Sequence, residues 1–479
     1  MGRSLCFTAA AVLLGVGCGR TSPPTCGELE SFNLSGCPLS SLSLLELQGA
    51  WNMNLHSVEA HSAAAFSFLE PSGPTLQGFP AQVRHDARSF LVSAEFTTTA
   101  GERRRLAYAG CHALSPEALH GAFVQCTNGM KTRDGTFEAK RIRRLPGEGE
   151  SSSGVTLLGE LGFAGARTAD VFVAGSIAYV VLFESGAAIV DVADPAHPTL
   201  LTRIPAPGDY WNAVWVKDNV LYLASAENGV IFYDVTRPSA PALLGSLPTP
   251  PVNVHTLVLD GNTLFAMSPG PAGETLIFDV STAAAPVLLS RFQAAGANPA
   301  ASRFPHDASA LAGRLYVNHW ASGLVVADVM DPRQPTEIGR FTYPDATSHA
   351  SQVGVLGGRT IVFEGGESWG AHLRVLDASD PAHIAQIGEV SLRPEVSIHN
   401  LALRRNRLFV AWYQDGLRVF DVSAPQSPAL VGYYNTWRET DPGRGSSFYD
   451  GAIGIRVPGD GRAYLADVTR GLLIFAEPP

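Results

Sequence analysis

The chain has 479 residues, 46% hydrophobic and 16% charged, with 48 glycines, 33 prolines and a formal net charge of −10. That balance gives no long-range attraction for a polyanion and argues against nucleic acid as a partner. Glycine and proline beside abundant Val, Leu, Ile and Phe indicate short strands joined by tight turns, and beyond the N-terminus no apolar run reaches the roughly 18 residues of a spanning helix.

Residues 1–17 read as a signal peptide, with Arg3 before an apolar core from Leu5 to Val16 that is too short to span a bilayer. Next comes Gly15-Val16-Gly17-Cys18. Small residues before a cysteine in this position resemble the lipobox of bacterial lipoproteins, although Gly15 stands where an apolar residue is usual. The resemblance implies lipidation of Cys18, a tether over residues 18–26, and anchoring in a bacterial cell envelope at the outer membrane or surface. An ordinary cleaved signal and a secreted protein is the alternative.

Residues 27–145 form an expected small β-rich domain. Four cysteines past the signal, Cys26, Cys37, Cys111 and Cys126, all precede residue 130. Export favours disulfides over zinc, for which no CxxC spacing is present. Three pairings are possible, and the local pairs Cys26–Cys37 and Cys111–Cys126 are expected. The basic run Lys140, Arg141, Arg143 and Arg144 suits either anionic headgroups or a solvated strand end. Residues 146–154 (PGEGESSSG) are polar and without apolar periodicity, as a linker is.

From residue 155 the chain repeats. GLRVFDVSAPQSPALVG (Gly416 to Gly432) recurs as GVIFYDVTRPSAPALLG (Gly229 to Gly245) and GLVVADVMDPRQPTEIG (Gly323 to Gly339). An aspartate ends one apolar strand in each unit: Asp191, Asp234, Asp279, Asp328, Asp377 and Asp421. Their period of 43 to 49 residues fits one four-stranded propeller blade. Once per blade before a turn, such a carboxylate accepts backbone N–H groups and belongs to the scaffold.

Seven inner strands are legible, near Ala169, Ala213, Thr256, Asp307, Ser351, Asn400 and Ala452. The last unit lacks an outer strand, and residues 155–161 (VTLLGEL) carry that pattern ahead of the first. An all-β chain is therefore expected: a seven-bladed β-propeller over 155–479, closed by its own N-terminal strand, which protects edges otherwise open to pairing. The repeat resembles the LVIVD-repeat family on copies such as Ala188-Ile189-Val190-Asp191-Val192. The resemblance implies a propeller on exported or cell-surface prokaryotic proteins, and little about chemistry.

Propeller geometry sorts the loops. One face carries turn chemistry such as Asp260-Gly261-Asn262 and Gly357-Gly358. The other face surrounds the channel mouth and gathers Tyr210, Trp211, Trp320, Trp412, Tyr413 and Tyr449 with His255, His306, His349 and His399. Loops on a rigid scaffold are where binding groups concentrate, and the aromatic side chains suit a sugar face or a peptide. The four histidines precede the inner strands of four successive blades. One reading has each imidazole bonding the neighbouring blade's backbone; the other has the four holding one transition metal, with Asp307 and His319 as further ligands. No Gly-rich phosphate loop, GxSxG or HExxH is present, so the sequence supplies no catalytic residues beyond that metal reading.

The leading expectation is therefore an envelope-anchored propeller that binds a protein, peptide or glycan at its mouth without turnover and without a cofactor. The alternative is a metal-dependent extracytoplasmic enzyme using the four histidines. A third possibility puts the function in the N-terminal domain.

Overall fold

The computed structural model describes residues 25–58, 61–69, 73–152, 154–438 and 447–478. The signal segment, Cys18 and the tether before Thr25 lie outside these residues.

Residues 49–141 form a nine-stranded antiparallel sheet that curls on itself, so that Phe79 near one edge stacks on Phe96 toward the other. Its concave face buries Trp51, Phe66, Phe90, Tyr108, Phe123 and Phe137. The outer face is covered by residues 26–37, whose Leu29, Phe32 and Leu34 pack on Leu91, Ala107 and Val124. Two disulfides fasten that cover, Cys26–Cys126 and Cys37–Cys111.

The expected local pairing is thereby corrected. In the antiparallel pair Arg103–Ser115 and Ala118–Thr127, Cys126 lies opposite Arg105, whereas Cys111 falls at the bulge opposite residues 120 and 121. About five residues of strand, roughly 16 Å, separate the two cysteines, far beyond disulfide reach. The covering segment runs along both strands and meets one cysteine at each end. Disulfides of this kind point to an extracytoplasmic protein. Among the described residues no helix is long and apolar enough to cross a membrane.

The basic run finds acidic partners. Lys140 lies 3.5 Å from Glu395, Arg141 lies 3.8 Å from Glu46, and Arg143 pairs with Glu117. The two domains also meet directly, since Asn52 Nδ2 donates to Glu395 O (2.7 Å) and Arg393 Nη1 to Arg143 O (2.6 Å). Residues 148–152 lie along the outer strand of the sixth blade. Asn435 N donates to Glu150 O (2.7 Å) and Ser152 N to Tyr433 O (3.0 Å).

Seven four-stranded antiparallel sheets make the propeller. Residues 171–204, 211–247, 256–292, 307–341, 348–390 and 401–434 are blades one to six. The seventh combines Ala452–Arg456, Arg462–Asp467 and Gly471–Ala476 with Leu157–Leu161. Leu157 pairs with Phe475 and Leu161 with Leu472, so the ring closes as the pattern of 155–161 indicates. Arg470 secures this closure by bonding Glu160 across the seam and Thr436 O of the sixth-blade connection (2.9 Å).

All six repeated aspartates accept the backbone N–H two residues on, at 2.8 to 3.1 Å: Ala193, Thr236, Ser281, Met330, Ser379 and Ser423. They are Asx turns between the third and outer strands. The glycine late in the outer strand has a second role, because it lets the next blade come close. A Cβ at Gly159 would stand 2.2 Å from Pro195 O, and one at Gly339 1.8 Å from Pro381 O. Blade three has Ser290 at this place, and its hydroxyl donates to Pro332 O (2.6 Å), the corresponding carbonyl of blade four.

Candidate functional site at the channel mouth

The repeat fixes where the histidines stand. His255, His306 and His399 each come one residue before an inner strand, or two in the last case. Their N–H groups donate to Met267 O, Asn318 O and Ala411 O of their own second strands, at 2.8 to 2.9 Å. His349 sits within Ser348–Leu356 at a bulge between Ser348 and Ala350. Successive blades therefore deliver the four imidazoles as a row, with ring centroids 4.3, 4.3 and 4.1 Å apart from His255 to His399.

The row is the partition between two cavities. On the mouth side is a pocket of ≈ 290 Å³, edged by Tyr210, Tyr413, Tyr449, Phe183 and Arg167. On the channel side is a space of ≈ 160 Å³ lined by inner-strand residues including Asp170, Asp307, Ser309, Ser351 and Arg456. Asn212, His349, His399 and Ile453 face both.

Glu367 joins the row from the loop between the second and third strands of blade five. Its N–H donates to Thr347 O (2.9 Å), and its carboxylate accepts from Tyr413 Oη. Its oxygens lie 3.7 Å from His349 Nε2 and 3.7 Å from His399 Nε2. Burial pushes the Glu367 carboxyl up to about 7, with the Tyr413 hydroxyl opposing. Burial drives His255 down to about 4 and His399 down to about 3. His306 and His349 are held well below the ordinary imidazole range, by burial first and then by neighbouring imidazoles. At neutral pH the row is a set of neutral imidazoles.

Their hydrogen bonds are uneven. His399 Nδ1 donates to Ile453 O of blade seven (2.7 Å), and His255 Nε2 lies 3.3 Å from Asn212 Nδ2 of blade two. Contact to the neighbouring blade thus accounts for one nitrogen of each. His306 and His349 each keep a buried Nδ1 without a hydrogen-bond partner. Asp307 faces the channel instead, accepting from Ala308 N (2.8 Å), and burial raises its carboxyl to about 7. His319 bonds Ser322 within its own turn (3.1 Å) and stays apart from the row.

The aromatic candidates divide. Tyr210, Tyr413 and Tyr449 line the mouth, and Trp320 lies tilted beside His306 with centroids 4.9 Å apart. Trp211 and Trp412 are buried within the blades, their indoles donating to Asp209 Oδ2 (2.8 Å) and Val396 O (3.3 Å). Three loops between second and third strands explain the division: Leu182-Phe183, His319-Trp320 and Trp412-Tyr413 each precede a glycine by the same interval. The first member of each pair is buried away from the pocket, whereas Phe183 and Tyr413, though also buried, line it. The second has positive φ, 46° for Phe183, 39° for Trp320 and 24° for Tyr413. Bulky residues in that region are strained and tend to mark functional sites. Aligning the three turns on that glycine would have separated lining aromatics from packing ones. Glu367 lies in a stretch the sequence places at the mouth, but its contact with the row needs the fold.

Beside the mouth the N-terminal domain forms a wall. Ser368 and Trp369, next to Glu367, share a cleft of ≈ 350 Å³ with Asn54 and His56.

Among solved structures, a chain of a mitotic checkpoint complex superposes with a TM-score of 0.52 at 13% identity, over 70% of this chain and 98% of its own. The WD40 β-propeller domain of Doa1 gives 0.49 at 12% identity, over 68% and 98%. The designed protein Ika8 gives 0.44 at 10%, over 76% and 94%. No curated protein matches the sequence. The LVIVD repeat family model matches residues 165–204, 208–249, 311–343 and 398–436, which fall on blades one, two, four and six. The chain is a seven-bladed β-propeller carrying LVIVD repeats, preceded by a disulfide-linked β domain.

Proposed function

We propose that this protein is an envelope-anchored binding propeller that takes a protein, peptide or glycan at the channel mouth without turning it over. One observation carries the reading: imidazole, carboxyl and phenol groups from residues 210 to 449 converge on one pocket. The opposite face is made of Asx and glycine turns, which offer a partner little but backbone. Tyr210 and Tyr449 supply flat faces with a polar tip, suited to stacking on a sugar or gripping a peptide. The wall formed by the N-terminal domain lengthens the surface on the Glu367 side. Anchoring through Cys18 fits the export signal and the oxidising compartment that disulfides require.

Arrays of envelope glycans and peptides, probed with the purified protein and with a Tyr210→Ala/Tyr449→Ala variant, test the binding. Signals present for the parent and lost in a folded variant support it; equal binding by both removes the mouth from consideration. Membrane fractionation of Cys18→Ser tests the anchor separately, since a lipoprotein should shift to the soluble fraction.

A further inference from the structure

We propose that His306, His349 and Glu367 form a binding site for one divalent transition-metal ion, with His399 beside it. This goes beyond the partner reading, because ion uptake is measured with no partner present.

The argument begins with the tautomer of His399. A backbone carbonyl only accepts, so the nitrogen 2.7 Å from Ile453 O must carry the proton. His399 Nε2 is then a lone pair, and it faces Glu367 Oε1 at 3.7 Å. Two acceptors are thus set against each other, too far apart for a hydrogen bond. Glu367 Oε2 also lies 3.7 Å from His349 Nε2, on a ring whose tautomer no hydrogen bond fixes. Two ligand atoms bound at about 2.1 Å across a tetrahedral angle are about 3.4 Å apart, so both separations suit a shared cation.

Independent geometry defines the inner set. One ligand atom from each of His306, His349 and Glu367 lies within 4.8 Å of the others. His306 is 9% exposed and His349 3%, and each has an Nδ1 with no partner, which on His349 is the nitrogen other than the one facing Glu367. Buried polar atoms in native proteins are nearly always satisfied, and such orphans call for a ligand. The Nδ1–H bond of His399 to a carbonyl and the Tyr413 bond to Glu367 are the outer contacts that orient imidazole and carboxylate ligands. Neutral imidazoles with a single carboxylate suit a zinc- or iron-like ion better than calcium or magnesium, which prefer all-oxygen shells.

The test uses mature protein without a histidine tag, stripped with chelator. Zn²⁺ is titrated by calorimetry, and Co²⁺ by visible absorption, which reports its ligand geometry. One ion of each per chain is expected. His349→Ala and Glu367→Gln should each weaken Zn²⁺ binding by more than the roughly 10- to 100-fold typical of outer-shell changes, while His319→Ala leaves it unchanged. Glu367→Gln keeps the side chain's size and its bond from Tyr413, so it decides the matter if His349→Ala fails to fold. No saturable uptake, or uptake equal in parent and Glu367→Gln, overturns the proposal. The facing acceptors would then share a proton.

Discussion

Arg418 is fully buried in the third strand of blade six, and its guanidinium reaches Glu148 at 2.9 Å, ahead of the propeller. Asn435 accepts from the same nitrogen (3.1 Å), and the Tyr433 ring lies beneath it at 5.1 Å. A polar stretch of chain is thereby fastened to the ring through a charge that has no access to water.

Removing one partner of a buried pair leaves an uncompensated charge, at a cost of several kcal/mol. Asp415, 4.0 Å from Arg418, keeps part of the compensation. Glu148→Ala should therefore destabilise the protein by about 3 kcal/mol, read as a lower urea midpoint. Arg418→Met combined with Glu148→Ala should recover most of that loss. A Glu148→Ala midpoint equal to the parent's would mean the strap contributes nothing.

The disulfides clamp residues 26–37 across the curled sheet, with Cys26 and Cys126 100 residues apart in sequence and Cys37 and Cys111 74. Loops of this size stabilise a fold by about 4 kcal/mol each when their cross-link forms. Cys37→Ser/Cys111→Ser should lower the unfolding temperature of the N-terminal domain and leave the propeller transition in place. Non-reducing peptide maps should recover the 26–126 and 37–111 pairs; a 26–37 peptide would refute the arrangement.

Much of this molecule was legible beforehand because a propeller must solve one packing problem seven times. The aspartates of the Asx turns and the orphan strand at 155–161 stand out as periodic marks and as a break in them. The histidines were legible for the same reason, each standing at the door of an inner strand. What escaped depends on rotations that periodicity leaves open. Trp412 and Tyr413 are neighbours, yet one packs in the blade and the other lines the mouth. The disulfide pairing escaped because it is set by register in a domain with no repeat, and the contact of Glu367 with the imidazoles joins loops of different blades.

Gly339 gives a test of how blades abut. A methyl group there would meet Pro381 O at 1.8 Å, a collision with backbone that no side-chain rotation relieves. Gly339→Ala should cost about 1–3 kcal/mol, as overpacking does, while Ser290→Ala in blade three should cost about 1 kcal/mol for its lost hydrogen bond. A Gly339→Ala midpoint equal to the parent's would show that the blades slide apart freely.

Acid should loosen the turns. Asp234 is held below the usual carboxylate range by the Thr236 side chain and N–H, Asp279 by the Ser281 N–H and side chain, and Asp377 by the Ser379 side chain. The Ser423 side chain and N–H, with Arg407, bring Asp421 to about 2. Depressed carboxyls stabilise the native state when ionised. Their contribution is complete above about pH 4, the unfolded value, and fades as the pH falls toward the native values. The urea midpoint should decline from about pH 4 to about pH 2. Asp421→Asn, which still offers an acceptor to Ser423, should flatten that decline; an unchanged slope would remove Asp421 as a contributor.

The seam of the ring imposes an order in time. Glu160 and Arg470, which meet there, are 310 residues apart in sequence. The strand that completes blade seven emerges from the ribosome long before its partner. A chain cut short before Gly471–Ala476 leaves Leu157–Leu161 unpaired beside the open flank of the sixth blade. Such a product is an unsealed ring with two sticky edges, a target for proteolysis or aggregation. Closure thus makes the whole ring wait on one late strand, Gly471–Ala476.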